Sequence, residues 1–374
     1  MNILILSWRA PGHPIAGGAE QVTFEHAKTW LNAGHNITWF TSYYKNAKRE
    51  ETVDGIKIIR RGRQFFDVHI RAFFWYLLSR KHPKFDLVVD EFHGIPFFTP
   101  LYVRVRKLAF IHEVAKNVWK LNPWPKPFSY IPAYIGTRFE PWVFMLIYKN
   151  IPFMTVSEST KAELEEWGVE GKKVTVVHNG VKLNKMPKVL PKKEKKKTAI
   201  FLGAISKDKG IFDALKIFAG INRKDDQWQY WVVGKGTKKY LNELKSLARE
   251  LKIFERVKFF GFVSDGKKFD LLAKSHILIN PSAREGWGLV NIEANAVGTP
   301  VIGYNVAGLK DSVLDGKTGL LVKEGDTGGV AEKALRLLND EKGYAEMRKK
   351  TMKWSRNFTW EKSGRQSLEL IESI

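Results

Sequence analysis

Short apolar runs alternate with longer amphipathic stretches along most of this chain of 374 residues. The runs are rich in branched and aromatic side chains, which is typical of strands buried on both faces. The stretches between them repeat apolar residues at helical spacing. This pattern predicts strands at 2–7, 36–42, 55–60, 86–90, 108–112, 153–157, 173–178, 198–203, 229–234, 257–261, 276–280, 300–303 and 319–322. Strand–helix alternation of this kind predicts parallel sheets covered by helices on both faces.

The alternation is interrupted once, by the segment KLNKMPKVLPKKEKKK, which is rich in lysine and proline. We predict an exposed linker at 184–197, because so dense a charge run suits neither a strand nor a buried helix. It separates an N-terminal α/β domain, 1–183, from a C-terminal α/β domain, 198–355, and the length of the chain also favours two domains. We expect a C-terminal helix, about 356–374, to pack back on the first domain. A ligand is expected in a cleft between the domains, at the carboxyl ends of the strands.

The net charge of +23 indicates an anionic partner, which is nucleic acid, anionic lipid or a phosphorylated small molecule. The chain has no cysteine, which excludes disulfides, thiolate zinc sites and cysteine nucleophiles. The N-terminus has no basic leader or long apolar run, and no stretch reaches the ~18 uncharged apolar residues of a membrane span. We therefore expect a cytoplasmic protein, with a peripheral position on the inner face of the membrane as a further hypothesis.

Three loops that follow predicted strands contain residues suited to binding an anion or a sugar. Gly17 and Gly18 precede the first helix, whose first N–H groups attract anions, although a plain glycine turn explains them equally well. His112 ends a buried strand and can donate a hydrogen bond or move a proton, but a lone histidine is more commonly structural. Lys209 begins a helix, where its charge opposes the helix dipole unless an anion is bound there; a solvated surface lysine is the alternative.

A fourth loop, PSAREGWGLVNIEANAVGTPVIG at 281–303, places two glutamates among glycine and apolar residues. Glu285 precedes a helix predicted at about 289–297, and Glu293 lies on it. The N–H groups at the start of that helix can bind a pyrophosphate, and a carboxylate can accept from two sugar hydroxyls. Two glutamates at this spacing mean little alone. The signal is the whole string P-S-x-x-E-G-x-G-L-x-x-x-E-A, followed by G-x-P-V.

Other kinds of site find no support in the sequence. There is no D-x-D pair, so a divalent metal held by paired carboxylates is not predicted. The dinucleotide fingerprint, the phosphate-binding loop G-x-x-x-x-G-K-[ST] and the G-x-S-x-G nucleophile elbow are all missing. No motif of a nucleic-acid-binding fold occurs either.

Taken in order, these motifs resemble the retaining glycosyltransferases of family 4, which have the GT-B fold of two Rossmann-like domains facing a central cleft. The resemblance covers most of the chain and is strongest over 174–322. It rests on VSESTKAELEEWGVEGKKVTVVHNGV (156–181), FLGAISKDKG (201–210), VVGKG (232–236), VKFFGFVSD (257–265), the fourth loop, DGKTGLLVKEGD (315–326), GGAEQ (17–21) and His112.

The resemblance implies a site for a nucleoside-diphosphate sugar. It places Glu285 against the donor sugar, Glu293 on the nucleotide ribose and Lys209 on the diphosphate. It places His112 beside the reacting sugar, so that the implied catalytic residues are His112, Glu285 and Lys209. The other donor-binding residues that it implies are Gly17, Gly18, Gly203, Phe262, Val263, Gly286, Gly288, Leu289 and Val290.

The implied reaction moves a hexose from a UDP or GDP sugar to a hydroxyl of a glycan or lipid-linked acceptor, with retention at the anomeric carbon. The resemblance implies no metal and no other cofactor. Two alternatives stay open: a soluble sugar or sugar-phosphate synthase of the GT-B type, and a basic nucleic-acid-binding protein. Only the charge favours the second, and we expect no nucleic-acid partner.

Some positions depart from the pattern of the family. Ala204 stands where an arginine usually follows the glycine equivalent to Gly203, so that half of the usual cationic pair on the diphosphate is missing. Lys207 and Arg284 are candidates to replace it. Asn295 stands where methionine is common, and Lys182 stands where aspartate is common.

Basic and aromatic residues are mixed in the middle of the first domain, at 60–84 and 116–149. This mixture is typical of a surface that meets an anionic membrane, which leads to the hypothesis of a lipid-linked acceptor. The alternative is that the aromatic side chains form the core. The aromatic residues concerned are Trp119, Trp124, Phe128, Tyr130, Trp142 and Phe144.

Overall fold

The computed structural model describes residues 1–64, 67–79, 82–92, 95–121 and 127–374, so Trp124 lies outside the described residues. The chain forms two compact units. The first contains Met1–Asn179 together with Trp360–Ile374, and the second contains Gly180–Thr359. Residues 184–197, for which we predict a linker, therefore lie in the second unit.

The strands are β1 Asn2–Leu6, β2 Asn36–Thr41, β3 Glu50–Val53, β4 Ile56–Arg60, β5 Leu87–Phe92, β6 Arg106–Ile111, β7 Phe153–Thr155, β8 Val174–Val176, β9 Thr198–Leu202, β10 Gln229–Val233, β11 Val257–Gly261, β12 Ile277–Asn280, β13 Val301–Tyr304 and β14 Gly319–Val322. The predicted strands all appear, several of them one or two residues shorter at an end. The short β3 was not predicted.

The α-helices are α1 Gly18–Asn32, α2 Val68–Leu78, α3 Tyr130–Val143, α4 Glu158–Glu166, α5 Ile211–Lys224, α6 Lys238–Glu250, α7 Asp265–Lys274, α8 Leu289–Ala296, α9 Leu309–Ser312, α10 Thr327–Asn339, α11 Glu341–Ser355 and α12 Trp360–Ser373. A π-helix, Phe144–Tyr148, continues α3 directly. Among the described residues, no helix combines the length and the apolar character needed to cross a bilayer.

The first unit is built on a sheet in the order β3-β4-β2-β1-β5-β6-β7-β8. Its strands pair in parallel except β3, which runs antiparallel to β4 at the edge and corrects the expectation of a purely parallel sheet. The sequence EETV is exposed on one side, so it lacks the continuous apolar run by which the other strands are recognised.

The last helix of the chain packs on the first unit, as predicted. Trp30 of α1 is fully buried, and its Nε1 donates to Oγ of Ser367 on α12 at 3.0 Å. The two helices approach so closely that a Cβ atom at Gly364 would lie 2.4 Å from Oγ1 of Thr29. The contact therefore depends on a residue without a side chain.

The second unit has a sheet in the order β11-β10-β9-β12-β13-β14, and the paired strands are all parallel. The lysine-rich segment that leads into β9 is largely exposed but is anchored by Lys193. Its Nζ donates to the carbonyl of Ser275 at 2.6 Å and to Oγ1 of Thr299 at 2.7 Å. Burial holds the pKa of Lys193 well below its usual value, with Arg348 adding to the effect.

Candidate functional site

Buried amide side chains fix the loop between β12 and α8. Asn280 ends β12 and donates from Nδ2 to Oδ1 of Asn291 at 2.8 Å. Asn291 donates in turn to Oγ of Ser312 at 2.9 Å. The N–H of Ser282 donates to Oδ1 of Asn280 at 3.3 Å. Since these groups are buried and satisfy one another, they fix the start of the loop relative to α8.

Glycines let neighbouring backbone come very close to this loop. A Cβ atom at Gly210, where φ is +67°, would lie 1.9 Å from the carbonyl oxygen of Pro281. A Cβ atom at Gly308 would lie 2.1 Å from the carbonyl oxygen of Glu285. The loop is thus pressed between the start of α5 and the start of α9, at the carboxyl ends of β9, β12 and β13, where ligands of parallel sheets bind.

Lys209 and Glu285 contact each other at this place. The Nζ of Lys209 lies 3.0 Å from Oε2 of Glu285, and Oγ of Ser282 donates to Oε1 at 2.8 Å. The side chains of Lys209 and Glu285 are 27% and 14% exposed, so both are accessible to a ligand. The structure thus brings together the two predicted residues of the second unit to which the resemblance gives a catalytic role.

The helix α8 begins beside this pair. Its N-cap is Gly288, with φ +79°, a backbone conformation that favours glycine. A Cβ atom there would lie 2.5 Å from Nδ2 of Asn291. The half-buried Leu289 and Val290 form the first turn, whose N–H groups have no acceptor within the helix. Together with Gly286, this turn forms a site where an anion is favoured by the helix dipole.

Glu293 lies one turn further along α8 and is almost completely buried. Its Oε1 lies 2.5 Å from Nζ of Lys268 on α7, which also contacts Oδ1 of Asp265 at 3.1 Å. Burial raises the pKa of Glu293, while Lys268 opposes the rise. Burial by itself lowers the pKa of Lys268, but Glu293 and Asp265 together outweigh it and hold that pKa above its usual value. Lys268 is therefore a protonated partner that holds the Glu293 carboxylate in place.

Phe262 and Val263 directly follow β11, which is the edge strand of the sheet in the second unit. Phe262 is 72% exposed, and its ring centroid lies 4.8 Å from Nζ of Lys235. An aromatic ring so open to water offers a flat face for stacking. Val263 beside it is half-buried.

The end of β9, at Gly203, lies against the end of β10. A Cβ atom at Gly234 would lie 1.7 Å from the carbonyl oxygen of Gly203, so the ends of β9 and β10 touch through backbone. Ala204, which stands in place of the usual arginine, is exposed. Of the two candidate replacements, Lys207 is exposed on the loop before Lys209, and Arg284 is half-buried next to Glu285.

The glycine loop of the first unit is organised differently from our expectation. The carboxylate of Glu20 accepts from the N–H of Gly17 at 2.6 Å, and it also pairs with Nε of Arg9 at 2.6 Å. We expected the N–H of Gly17 to be open to an anion, but an internal carboxylate occupies it. Gly18 is the first residue of α1.

His112 follows β6 directly and is nearly buried. Its Nε2 lies 3.3 Å from Oε1 of Glu91 on β5, and its carbonyl accepts from Oγ1 of Thr160 at 3.4 Å. Glu91 is buried as well, so the imidazole and the carboxylate form a pair at the carboxyl ends of two neighbouring strands.

The sequence did not reveal several residues that position the glutamates. Lys268 lies 25 residues before Glu293 on another helix, and no local pattern links the two. Ser282 is part of the recognised string, but only the structure shows its hydrogen bond to Glu285. Within the part of the chain that the structure describes, no group of three or more His, Asp or Glu side chains is arranged to hold a metal ion.

Two family models match the chain, and together they extend from residue 16 to residue 354. The model for Glycosyltransferase Family 4 matches residues 16–185. The model for Glycosyl transferases group 1 matches residues 184–354.

Similar curated proteins and solved structures agree with these matches. The glycogen synthase of Mycobacterium tuberculosis is 26% identical over 226 residues, which cover 59% of this chain and 53% of that protein, so the chain spans about half the length of such relatives. The structure of sucrose-phosphate synthase from Thermosynechococcus elongatus has a TM-score of 0.82 at 21% identity and covers 100% of this chain and 98% of its own. The structure of HepE from Anabaena in complex with UDP-glucose has a TM-score of 0.74 at 18% identity, and the match covers 100% of each chain. These likenesses confirm the predicted fold of two Rossmann-like domains.

Proposed function

We propose that this chain, whose two domains match the family models for Glycosyltransferase Family 4 and Glycosyl transferases group 1, transfers a hexose from a UDP or GDP sugar to a hydroxyl acceptor, with retention at the anomeric carbon. The observation that carries the proposal is the Lys209–Glu285 pair beside the N-terminus of α8. A cation, a carboxylate and a helix N-terminus in one place suit a diphosphate linked to a sugar.

In the proposed reaction, the bond between the anomeric carbon and the diphosphate oxygen breaks, the oxygen of the acceptor hydroxyl bonds to that carbon on the same face, and the hydroxyl proton passes to the departing diphosphate oxygen. The leaving diphosphate gains negative charge, which Lys209 and the first turn of α8 stabilise. Lys209 exchanges the Glu285 carboxylate for a phosphate oxygen, and Glu285 then accepts from hydroxyls of the donor sugar. For His112, paired with Glu91 at the carboxyl ends of β5 and β6, the proposed role is contact with a sugar hydroxyl.

Two further contacts complete the proposed donor site. Glu293, held by Lys268, accepts from the ribose hydroxyls, and the exposed ring of Phe262 stacks on the base. The proposed reaction needs no metal ion, because the cationic groups that face the diphosphate belong to the chain. Retained turnover in the presence of EDTA is the expected result.

Isothermal titration with UDP, GDP and ADP sugars tests the proposal, and we expect one of the first two to bind. Glu285→Gln should slow the release of nucleoside diphosphate about 100-fold while donor affinity changes little, since the glutamate acts on the sugar more than on the nucleotide. Glu293→Ala should mainly weaken nucleotide binding. Glu324→Gln, a change at an exposed glutamate of the same unit, is the matched control. If no nucleotide sugar binds, or if both site variants keep full activity, the proposal is wrong.

A further inference from the structure

The helical segment formed by α3 and the π-helix turns most of its aromatic and aliphatic side chains away from the protein. Its buried face contains Gly136, Glu140, Phe144 and Tyr148, which follow one another at intervals of four residues. The opposite face is 42–66% exposed at each of Tyr130, Ile131, Tyr134, Ile135, Phe139, Trp142, Met145 and Leu146. A surface helix of a soluble domain normally has the reverse arrangement, with its apolar side inward.

Glu140 explains how such a helix is held in place. Its carboxylate accepts from the N–H groups of Ala115 and Lys116 at 2.7 and 3.0 Å, and from Nε1 of Trp119 at 2.9 Å. Glu140 is the one acidic residue between positions 130 and 149, and it points inward. The charged side chains left on the exposed face are therefore those of Arg138 and Lys149, and both are cationic.

The exposed apolar surface continues onto α2. On that helix the exposed fractions are 58% at Ile70, 52% at Phe74, 49% at Leu77 and 71% at Leu78. The ring of Phe73 on α2 lies 4.9 Å from that of Tyr102, which follows the turn Thr99–Leu101. That turn contacts the π-helix, and its Leu101 is itself 69% exposed. We call these exposed residues of α2, the turn and the α3 segment the apolar face.

The chemistry of the apolar face decides what it binds. A monomeric protein rarely exposes an apolar patch larger than a few hundred Å² unless something covers it. Tyrosine and tryptophan are the residues that lie at the headgroup level of a bilayer, and the cations among them favour anionic lipid. A second copy that met this face through its own α3 segment would present the same cations, while Glu140, the acidic residue of that segment, points inward. A groove of about 400 Å³ lined by Thr137, Arg138, Phe139, Pro141 and Trp142 offers room for part of a lipid.

We propose that the apolar face binds the surface of an anionic bilayer, with α3 lying in the plane of the interface rather than across it. Its aromatic and aliphatic side chains enter the region between headgroups and acyl chains, while Arg138 and Lys149 meet lipid phosphates. The proposal goes beyond the proposed donor chemistry and does not rest on it, because vesicle binding is measured without any donor sugar.

Flotation with phosphatidylglycerol–phosphatidylcholine vesicles at low salt tests this surface. Trp142→Glu should weaken binding at least tenfold, because it places a carboxylate on the anionic interface and removes an exposed ring that would enter the bilayer surface. Val189→Glu, at a residue of the second unit that is 84% exposed, makes a similar change outside the face and should bind like the natural chain. Arg138→Gln should bind about fivefold more weakly to these vesicles and unchanged to phosphatidylcholine alone.

Three outcomes would overturn the proposal. One is that the natural chain does not float with anionic vesicles. Another is that Val189→Glu loses as much binding as Trp142→Glu. The third is that light scattering shows a dimer that Trp142→Glu converts to a monomer, while vesicle binding is the same for both proteins, because a second copy would then cover the face. An unchanged thermal unfolding midpoint shows that each variant is folded, and donor titration on the same samples reports the nucleotide site separately.

Discussion

At the level of single residues, Glu285 and Glu293 lie on one loop–helix segment but have different surroundings. Glu285 pairs with a lysine that is itself partly exposed, so a ligand can replace that lysine. Glu293 is almost completely buried and is held by Lys268, whose side chain is only 13% exposed. A buried carboxylate without such a partner would be strongly destabilising. Lys268 is thus a positioning residue that keeps Glu293 charged and fixed.

Lys268→Met should lower the free energy of unfolding by about 3–5 kcal/mol, because it leaves the buried Glu293 carboxylate without its cation. Lys267→Met removes an exposed partner of Asp270 on the same helix and should cost at most about 1 kcal/mol. Urea denaturation of both variants measures the difference. Equal losses of unfolding free energy in the two variants would show that the Lys268–Glu293 contact contributes no more than an exposed ion pair.

The same pair gives a pH dependence with a definite sign. Because the pKa of Lys268 is raised in the folded state, its contribution to stability is present below the ordinary lysine pKa, ~10.4, and is lost as pH rises through the raised value. We therefore expect the natural chain to lose more stability than Lys268→Met as the pH rises above about 10.4, the ordinary lysine pKa. Parallel stability profiles in that range would contradict the assignment.

At the level of elements, the sequence predicted those strands whose runs are apolar throughout, because burial on both faces leaves that mark. The edge strand β3 was not predicted, because EETV is polar on its exposed side.

The sequence left two interpretations for the aromatic residues of the first domain, a hydrophobic core or a membrane-binding surface, and each applies to some of these residues. Phe144 is core, whereas Phe128, Tyr130 and Trp142 are exposed. Composition alone could not separate them, because the separation depends on which way the helix is turned.

Around the candidate site, prediction of the backbone succeeded where the sequence signal is local. Glu285 and the glycines around it form one continuous string, so spacing alone indicates a loop and a helix start. The partner from another element left no such signal, because Lys268 on α7 reaches Glu293 on α8 only through the packing of the two helices. The occupied N–H of Gly17 is a different case, because Glu20 lies only three residues further along, on the helix that Gly17 caps, and Glu at that position is itself a local capping signal.

The contact between α12 and α1 gives a test at this scale. Gly364→Ala should destabilise the first unit by about 1–3 kcal/mol, because the added Cβ would lie 2.4 Å from Oγ1 of Thr29. Gly266→Ala on α7 adds the same methyl group where no atom lies within 4 Å, and it should be neutral or slightly stabilising. Thermal unfolding of the two variants measures both effects. The same small change in both would mean that α12 does not pack closely on α1.

At the level of the whole molecule, lysine and arginine outnumber aspartate and glutamate by 62 to 39. Lowering the pH protonates carboxylates and adds to this excess, so acid increases the self-repulsion of the chain. A buried histidine adds to the effect. His26 is packed among Trp30, Phe110 and Trp360, and burial lowers its pKa to about 3.

His26→Leu should make the protein less sensitive to acid. A histidine whose pKa is lowered in the folded state contributes stability that is present above the ordinary pKa, ~6.5, and is lost as pH falls towards the folded value. The unfolding free energy of the natural chain relative to the variant should therefore fall by about 1.4 kcal/mol per pH unit below about pH 6. Denaturation series at pH 4, 5, 6 and 7, values chosen to span roughly that window, measure the difference. Parallel profiles for the two proteins would be the contradicting result.

The contact between Lys209 and Glu285 means that the chain supplies its own counterion at the candidate site. A sulfate ion that took the lysine would leave the glutamate with its hydrogen bond from Ser282 but without a cation, since sulfate has no hydrogen atom to donate to a carboxylate. A donor carries both a diphosphate for the lysine and hydroxyls for the glutamate, so it satisfies both at once. Under the proposed function, the pair therefore disfavours an anion such as sulfate and favours a molecule that combines a diphosphate with sugar hydroxyls.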